Sequence, residues 1–375
     1  MAVNRQITGN AYSSRKAFVK PSISLSNQGK LLSSAADFNT ICWHIHKSGD
    51  YLYASTNNKG ISVIDVSNPA SPSVTDTEVG TTYRIRGSVV IGGTLVTCAR
   101  TANGEIETWD ITNPAAIVSQ DSYIPAGTEK YSAIDTDGTY AYVASQVAGL
   151  HVFDVSTPTV IAEHGSLTTG TWETQGLAVH NAYAFMANYN NGLRIVDIAT
   201  PATPGAVTDR EIACPIYNGN TLRIWECAAD GNYLYASVNL TTTQYDTGGS
   251  AERGLLVLDI TDPTTIPTNG STWIRAQIPA ADQDVWNRVG DNPYIGITKL
   301  GNYVYMGAGH GGVFIWDVTD PTNPIYKGLR GNQDSGDNIY GVVAWNDANK
   351  TYVAYGDGAN EVGAGSNQVY VDEVV

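Results

Sequence analysis

Charge is scarce in this chain. Asp, Glu, Lys and Arg together make up 15% of its 375 residues, where soluble domains usually carry about a quarter. Phenylalanine (5) and methionine (3) are also few. What replaces them is Gly, Thr, Ser, Asn and Tyr, a composition for short strands and tight turns rather than helices. Cysteine is limited to Cys42, Cys98, Cys214 and Cys227. With no C-x-x-C pair and no zinc spacing to histidine they read as small core residues, a Cys214–Cys227 disulfide staying open. No apolar run reaches 18 residues, so no transmembrane helix and no membrane insertion are expected. The opening MAVNRQITGNAYSSRKAF has no apolar h-region, so no ordinary secretory signal is expected. G-x-S-x-G, a Gly-rich phosphate loop and a Cys/His nucleophile pair are all missing, so the chain is expected not to be an enzyme.

Basic residues are the minority sign: 21 Lys and Arg against 36 Asp and Glu, a net charge of −15. A nucleic-acid partner is not expected for such a body. Residues 1–36 hold Arg5, Arg15, Lys16, Lys20 and Lys30 and no acid.

One line recurs six times: GISVIDVSNPASP from Gly60, GEIETWDITNPA from Gly104, GLHVFDVSTP from Gly149, GLRIVDIATPATP from Gly192, GLLVLDITDP from Gly254 and GGVFIWDVTDPTNP from Gly311. Its aspartates, Asp65, Asp110, Asp154, Asp197, Asp259 and Asp317, are 45, 44, 43, 62 and 58 residues apart. A second line of the GNYLYAS type precedes each. Units of this length with alternating apolar strands predict four-stranded antiparallel blades repeated around a channel. Strand a is a short apolar run, a two-residue hairpin leads into b, GLxVxD is c, and d follows the proline. Asp, then Ser/Thr two residues on, then Pro, is turn chemistry: the carboxylate accepts backbone N–H groups in the c–d turn, so these aspartates are not read as catalytic.

The expected fold is therefore all-β, a seven-bladed propeller with blades near 40–80, 84–125, 130–168, 172–213, 221–278, 293–330 and 338–375. The seventh has strands a to c, with Asp372 in the aspartate position, and then the chain stops. Residues 20–35, with Pro21 followed by alternation and Leu31-Leu32, are expected to supply its fourth strand and close the ring. Residues 1–19 remain as a polar basic arm with Ile7, Tyr12 and Phe18 at intervals, read as a disordered tail or a docking segment.

GLxVxDVSxPxxP with its preceding YxYVA strand resembles the LVIVD-repeat β-propellers and, in the b and c strands, the YVTN surface-layer propellers. Trp109-Asp110 and Trp316-Asp317 are similar to WD repeats, whose Gly-His dipeptide is absent. The LVIVD resemblance implies an extracellular or envelope setting and adhesion, and brings no catalytic residues.

The b–c and d–a connections share one face, and the insertions Asn239–Arg253, Ala276–Asn292 and Asp357–Ser366 fall there, the usual mark of a binding face. Tyr245 and Trp286 lie in these insertions. The starts of the a strands add Trp43, His44, Arg84, Arg86, Lys130, Trp172, Glu173, Arg223 and Glu226 around the channel mouth. Arginines near two glutamates suit a sugar acid or simple mutual neutralisation. Small residues at Ser88, Ala133, Gly176, Gly296 and Gly341 predict crowding at the axis and no roomy pocket. His44-x-His46 lacks a third metal ligand; Asp135-x-Asp137-Gly138 and Asp282, Asp284 and Asp291 are weak calcium patterns, so no cofactor is expected.

The leading expectation is a structural or interaction protein displayed on a particle such as a virion, with protein partners in an assembly and homo-oligomerisation open. The alternative is an extracellular cell-surface adhesin or glycan-binding propeller. A glycosidase-like enzyme using Glu173 or Glu226 is a third reading. The expected setting is extracellular or on a virion, with a cytoplasmic one also open.

Overall fold

A computed structural model of the chain describes residues 25–32, 41–57, 60–78, 84–168, 173–205, 208–217, 220–240, 254–279, 296–307, 312–330, 338–358 and 368–375. These form seven antiparallel sheets, six of four strands and one of five. No helix occurs among the described residues, and hence none long and apolar enough to cross a membrane. In blade 1 the strands a to d are Cys42–Ser48, Tyr51–Thr56, Ile61–Asp65 and Ser73–Glu78. The a strands are innermost: each touches those of both neighbours in a closed cycle.

Alternation along b and c sends successive side chains to opposite faces of each blade. The apolar ones gather into seven clusters, one per blade–blade interface. Tyr53, Ile61 and Val63 of blade 1, for example, meet Ile85, Leu95 and Trp109 of blade 2. All four cysteines are buried and none is in a disulfide; Cys214 and Cys227 share one cluster.

The repeat aspartates do turn chemistry. Asp65, Asp110, Asp154, Asp197, Asp259 and Asp317 each accept the N–H two residues on, at 2.8 to 3.0 Å. Hydrogen bonds from the Ser or Thr hydroxyl, then from the backbone, hold Asp65, Asp110 and Asp259 below the ordinary aspartate range. The d strands latch one blade to the next. Asp76 accepts the N–H of Ile117 and Asp121 that of Ile161, both at 2.7 Å, while Arg210 donates to the Ile266 carbonyl at 2.5 Å. These three hold the same register, opposite the residue two before the repeat aspartate of their own blade.

Leu25–Leu32 pairs antiparallel with Gln368–Val374 and completes blade 7, as expected. The position of Asp372 needs correction. Counted from the inner-strand bulges (His44↔Ser55 and Gly341↔Gly356), the a–b hairpin of blade 7 is two residues longer on each arm. Tyr352 thus takes the place of Tyr51, and its partner Glu373, not Asp372, takes the place of Asp65. Asp372 faces inward instead, buried, and accepts the Tyr355 hydroxyl at 2.8 Å. Burial raises its carboxyl to about 6. The hairpin turns at Ala348-Asn349, without glycine as blade 4 does at Asn181-Ala182, so its length is not marked in the sequence.

Candidate functional site

The a strands of all seven blades line one axial cavity of about 280 Å³. The expected crowding exists, but it lies between neighbouring inner strands rather than on the axis. A Cβ at Gly87 would meet Ile134, at Gly176 the backbone and carboxyl of Glu226, at Gly296 the Tyr340 carbonyl and at Gly341 the backbone of His44. In each pair the small residue faces the next blade around the ring. Close lateral approach of the inner strands sets the ring's radius and leaves a cavity of modest size on the axis.

Of the candidates at the starts of the a strands, Trp43, His44, Arg86 and Glu226 lie on the cavity wall. The Arg86 guanidinium lies 3.5 Å from the Trp43 ring centroid, and Tyr340 packs against Trp43 at 4.8 Å between centroids. The stacked arginine is a cation–π arrangement. Arg84 and Arg223 do not line the cavity. Arg84 is exposed just before strand a of blade 2, with φ +75°. Arg223 lies over Tyr189 at 4.5 Å and donates to Asn190 Oδ1 at 3.0 Å. Tyr189 in turn meets Trp225 edge-on at 4.6 Å. Glu173 is exposed and off the wall, so the two glutamates are not brought together as a pair. Trp172, Tyr245 and Trp286 lie outside the described residues, as do residues 1–19 and Asp282, Asp284 and Asp291.

Sequence reasoning missed Arg100, Gln146, Gln175, Trp225 and Tyr340, all on the wall. Gln146 and Gln175 are joined by a 3.1 Å hydrogen bond. Gln146 and Arg100 follow strand b, so a scan confined to the starts of the a strands passes over them. Their signal was available in the repeat: both stand just beyond the end of a b strand, one blade apart.

The electrostatics of the wall follow from desolvation. Burial, and then the neighbouring His46, lowers His44 to about 3; burial lowers His46 to about 4. His44 Nδ1 accepts the Ser88 N–H at 3.3 Å, which places the ring proton of this neutral histidine on Nε2. Burial raises Glu226 to about 8, against hydrogen bonds from the Cys227 and Leu177 backbones. Asp135, raised by burial to about 6, accepts the N–H groups of Val179 and Thr136. Asp137 serves its own hairpin, accepting from Thr139 and Tyr140 at 2.8 Å, so the two aspartates of the calcium-like pattern do not converge. Among the described residues no cluster of three potential metal ligands occurs.

These groups give stability a definite pH dependence. Glu226 binds its proton more tightly in the folded protein, so its contribution is full below about pH 4.5 and is lost as pH rises to about 8. His44 and His46 work oppositely: their contribution is full above pH 6.5 and is lost as pH falls toward 4 and 3. Melting temperature is therefore expected to fall between pH 6.5 and 8 and also below pH 4. Glu226→Gln keeps the acceptor oxygen and removes the charge, so it should flatten the alkaline limb and leave the acid limb unchanged. Parallel alkaline limbs in the two proteins would show that Glu226 is not the titrating group.

The LVIVD-repeat family model matches residues 42–77, 132–169, 173–209 and 296–329, which are blades 1, 3, 4 and 6. Each match runs from strand a into strand d, and together they cover less than half of the chain. The unmatched blades are those that depart from the frame: blade 2 with Glu105 and Glu107 buried in its c strand, blade 5 with its insertion, and blade 7 closed by the other terminus. No curated protein matches the chain. Among solved structures it is similar to the computationally designed Ika8 protein, with a TM-score of 0.52 and 13% identity over 91% of this chain and 99% of that one. At that identity the likeness concerns the fold alone. Repeat frame, strand order and ring closure thus agree, and the chain is a seven-bladed β-propeller that carries LVIVD repeats.

Proposed function

We propose that this propeller is a non-enzymatic interaction protein that binds macromolecular partners through the face bearing the b–c and d–a connections. The observation that supports it is the difference between the two faces. On one, the a–b hairpins turn in two or three residues and every c–d connection opens on the same Asx turn, those of blades 4 and 5 alone lengthening, to residues 198–208 and 260–273. On the other, the connections run to residues 241–253, 278–296 and 359–367 between strands. A repeat array varies where it binds and stays uniform where it only folds. The described part of the variable face adds aromatic and arginine side chains, Trp43, Arg86, Tyr189 and Arg223, of the types that dominate binding hot spots. The Ile216–Tyr217 strand also projects there beside blade 5, with Ile216 73% exposed.

Our finer proposal is display on a particle of virion type, in an assembly with protein partners. The alternative is a cell-surface adhesin that binds glycans, which the polar and aromatic cavity favours. Photo-reactive residues at Ile216, on the variable face, and at Val160, 64% exposed on a c–d turn, test the common element in the producing cells. Cross-links to another macromolecule are expected from position 216 and not from position 160. Equal cross-linking from both, or from position 160 alone, overturns the proposal. The identity of the cross-linked species, coat protein or glycoconjugate, separates the two finer readings.

A further inference from the structure

The axial cavity holds more polar chemistry than the closing of a ring requires. Its wall carries the guanidinium groups of Arg86 and Arg100, the amides of Gln146 and Gln175 and the carboxyl of Glu226. Trp225 and Tyr340 are apolar surfaces on the same wall, 4% and 5% exposed. Gln146 is 9% exposed and spends its N–H on Gln175, so one amide keeps an acceptor and the other a donor. Glu226 Oε1 takes two backbone N–H groups from Leu177 and Cys227. The protonated acid still has an O–H to donate. Arg86 stacks through the flat face of its guanidinium, and its N–H donors lie in the plane of that stack.

This is not a cation site. Asp135 gives both of its oxygens to backbone N–H groups, Glu226 gives one, and among the described residues no three potential metal ligands cluster. Two arginines with hydroxyl-binding amides and a neutral acid suit an anion that also carries hydroxyls. The volume is at the small end of ligand cavities, which start near roughly 300 Å³, and so fits one monosaccharide-sized molecule.

We propose that the axial cavity binds a small hydroxylated carboxylate of the uronic-acid class. Arg86 and Arg100 receive the carboxylate, Gln146, Gln175 and Glu226 receive hydroxyls, and Trp225 and Tyr340 flank the ring. The charged and titratable groups facing Glu226 are Asp135 from blade 3 and Cys227 on its own strand, with Arg86 from blade 2 beside Cys98. Ionisation of Glu226 in alkaline solution places a negative charge in the cavity and removes a donor, so the ligand is released.

Calorimetric titration of the purified full chain tests this with three probes near about pH 6.5: glucuronate, glucose and cyclohexanecarboxylate. Glucuronate is expected to bind at least about tenfold more tightly than either control. Arg100→Met should weaken it by about tenfold, and Gln146→Leu should narrow its margin over cyclohexanecarboxylate. At about pH 9 wild-type affinity should fall by about tenfold, while Glu226→Gln stays level. Melting curves establish that each variant is folded before it is compared. Absence of saturable glucuronate binding up to about 10 mM, equal binding of glucose, or indifference to folded Arg100→Met overturns the proposal. The partner-binding reading shares Trp43 and Arg86 with this site but is tested apart from it, since its cross-links arise from Ile216, which is not on the cavity wall.

Discussion

A chain lacking residues 1–35 is expected to lose cooperative unfolding and to aggregate. The segment removed includes Leu25–Leu32, the outer strand of blade 7, whose backbone pairs along the whole of Gln368–Val374. Without it, Gln368–Val374 becomes an open edge carrying Val369, Tyr370 and Val371, all at 2% exposure or less in the intact ring. An unpaired apolar edge is a template for association with other chains. The same strand covalently links blade 1 to blade 7, so its loss also frees the interface built by Leu52, Ala54, Tyr352 and Ala354. Folded chains hold only about 5–15 kcal/mol in reserve, and losing a strand together with the ring's clasp is expected to consume most of it. Thermal melting and light scattering of the truncated chain check this. A peptide of residues 20–35 added in trans should restore the melt. A truncated chain that melts like the full one would remove the clasp from the account of stability.

Trp109→Ala is expected to cost about 3–5 kcal/mol, the range for deleting a large aromatic from a core. Trp109 is 1% exposed between blades 1 and 2, against Tyr53, Ile61 and Leu95. Its indole N–H donates to Thr97 Oγ1 at 3.3 Å. The equivalent residue of blade 6, Trp316, is equally buried but its Nε1 has no hydrogen-bond partner among the described residues. The pair therefore separates volume from polarity. Phenylalanine at position 109 removes the hydrogen bond that Thr97 Oγ1 accepts, leaving the one it donates to the Glu107 carbonyl; at position 316 it removes a buried donor that was unsatisfied. Denaturant melts should show Trp109→Phe as the costlier of the two by about 1 kcal/mol. Equal costs would mean that ring volume alone sets the price at both interfaces.

Much of this architecture was legible in the chain because its repeat states the same local physics six times. Gly, alternation, Asp, Ser/Thr and Pro specify a strand and an Asx turn wherever they occur, and Asp65 through Asp317 adopt that turn without exception. The closing strand was legible for a topological reason, since a seventh unit with three strands requires a fourth. Asp372 was misplaced because the extra hairpin length at Asp347–Lys350 carries no glycine signal, and a shift of one residue in a strand reverses the face.

The cavity was not legible. Trp43, His44, Arg86 and Glu226 could be named as candidates, since the start of each a strand must face the channel. Whether they meet across it depends on the distance between opposite blades, and nothing local encodes that distance. It is set by how closely neighbouring inner strands approach at Gly87, Gly176, Gly296 and Gly341, summed around the ring. The partnership of Arg86 with Trp43, the joining of Gln146 to Gln175 and the separation of Glu173 from Glu226 are likewise contacts between different blades. Sequence alone determined the strands, the turns and the number of blades, because each is a matter of a few consecutive residues. The open axis and the chemistry that faces it were decided only when seven units closed on one another.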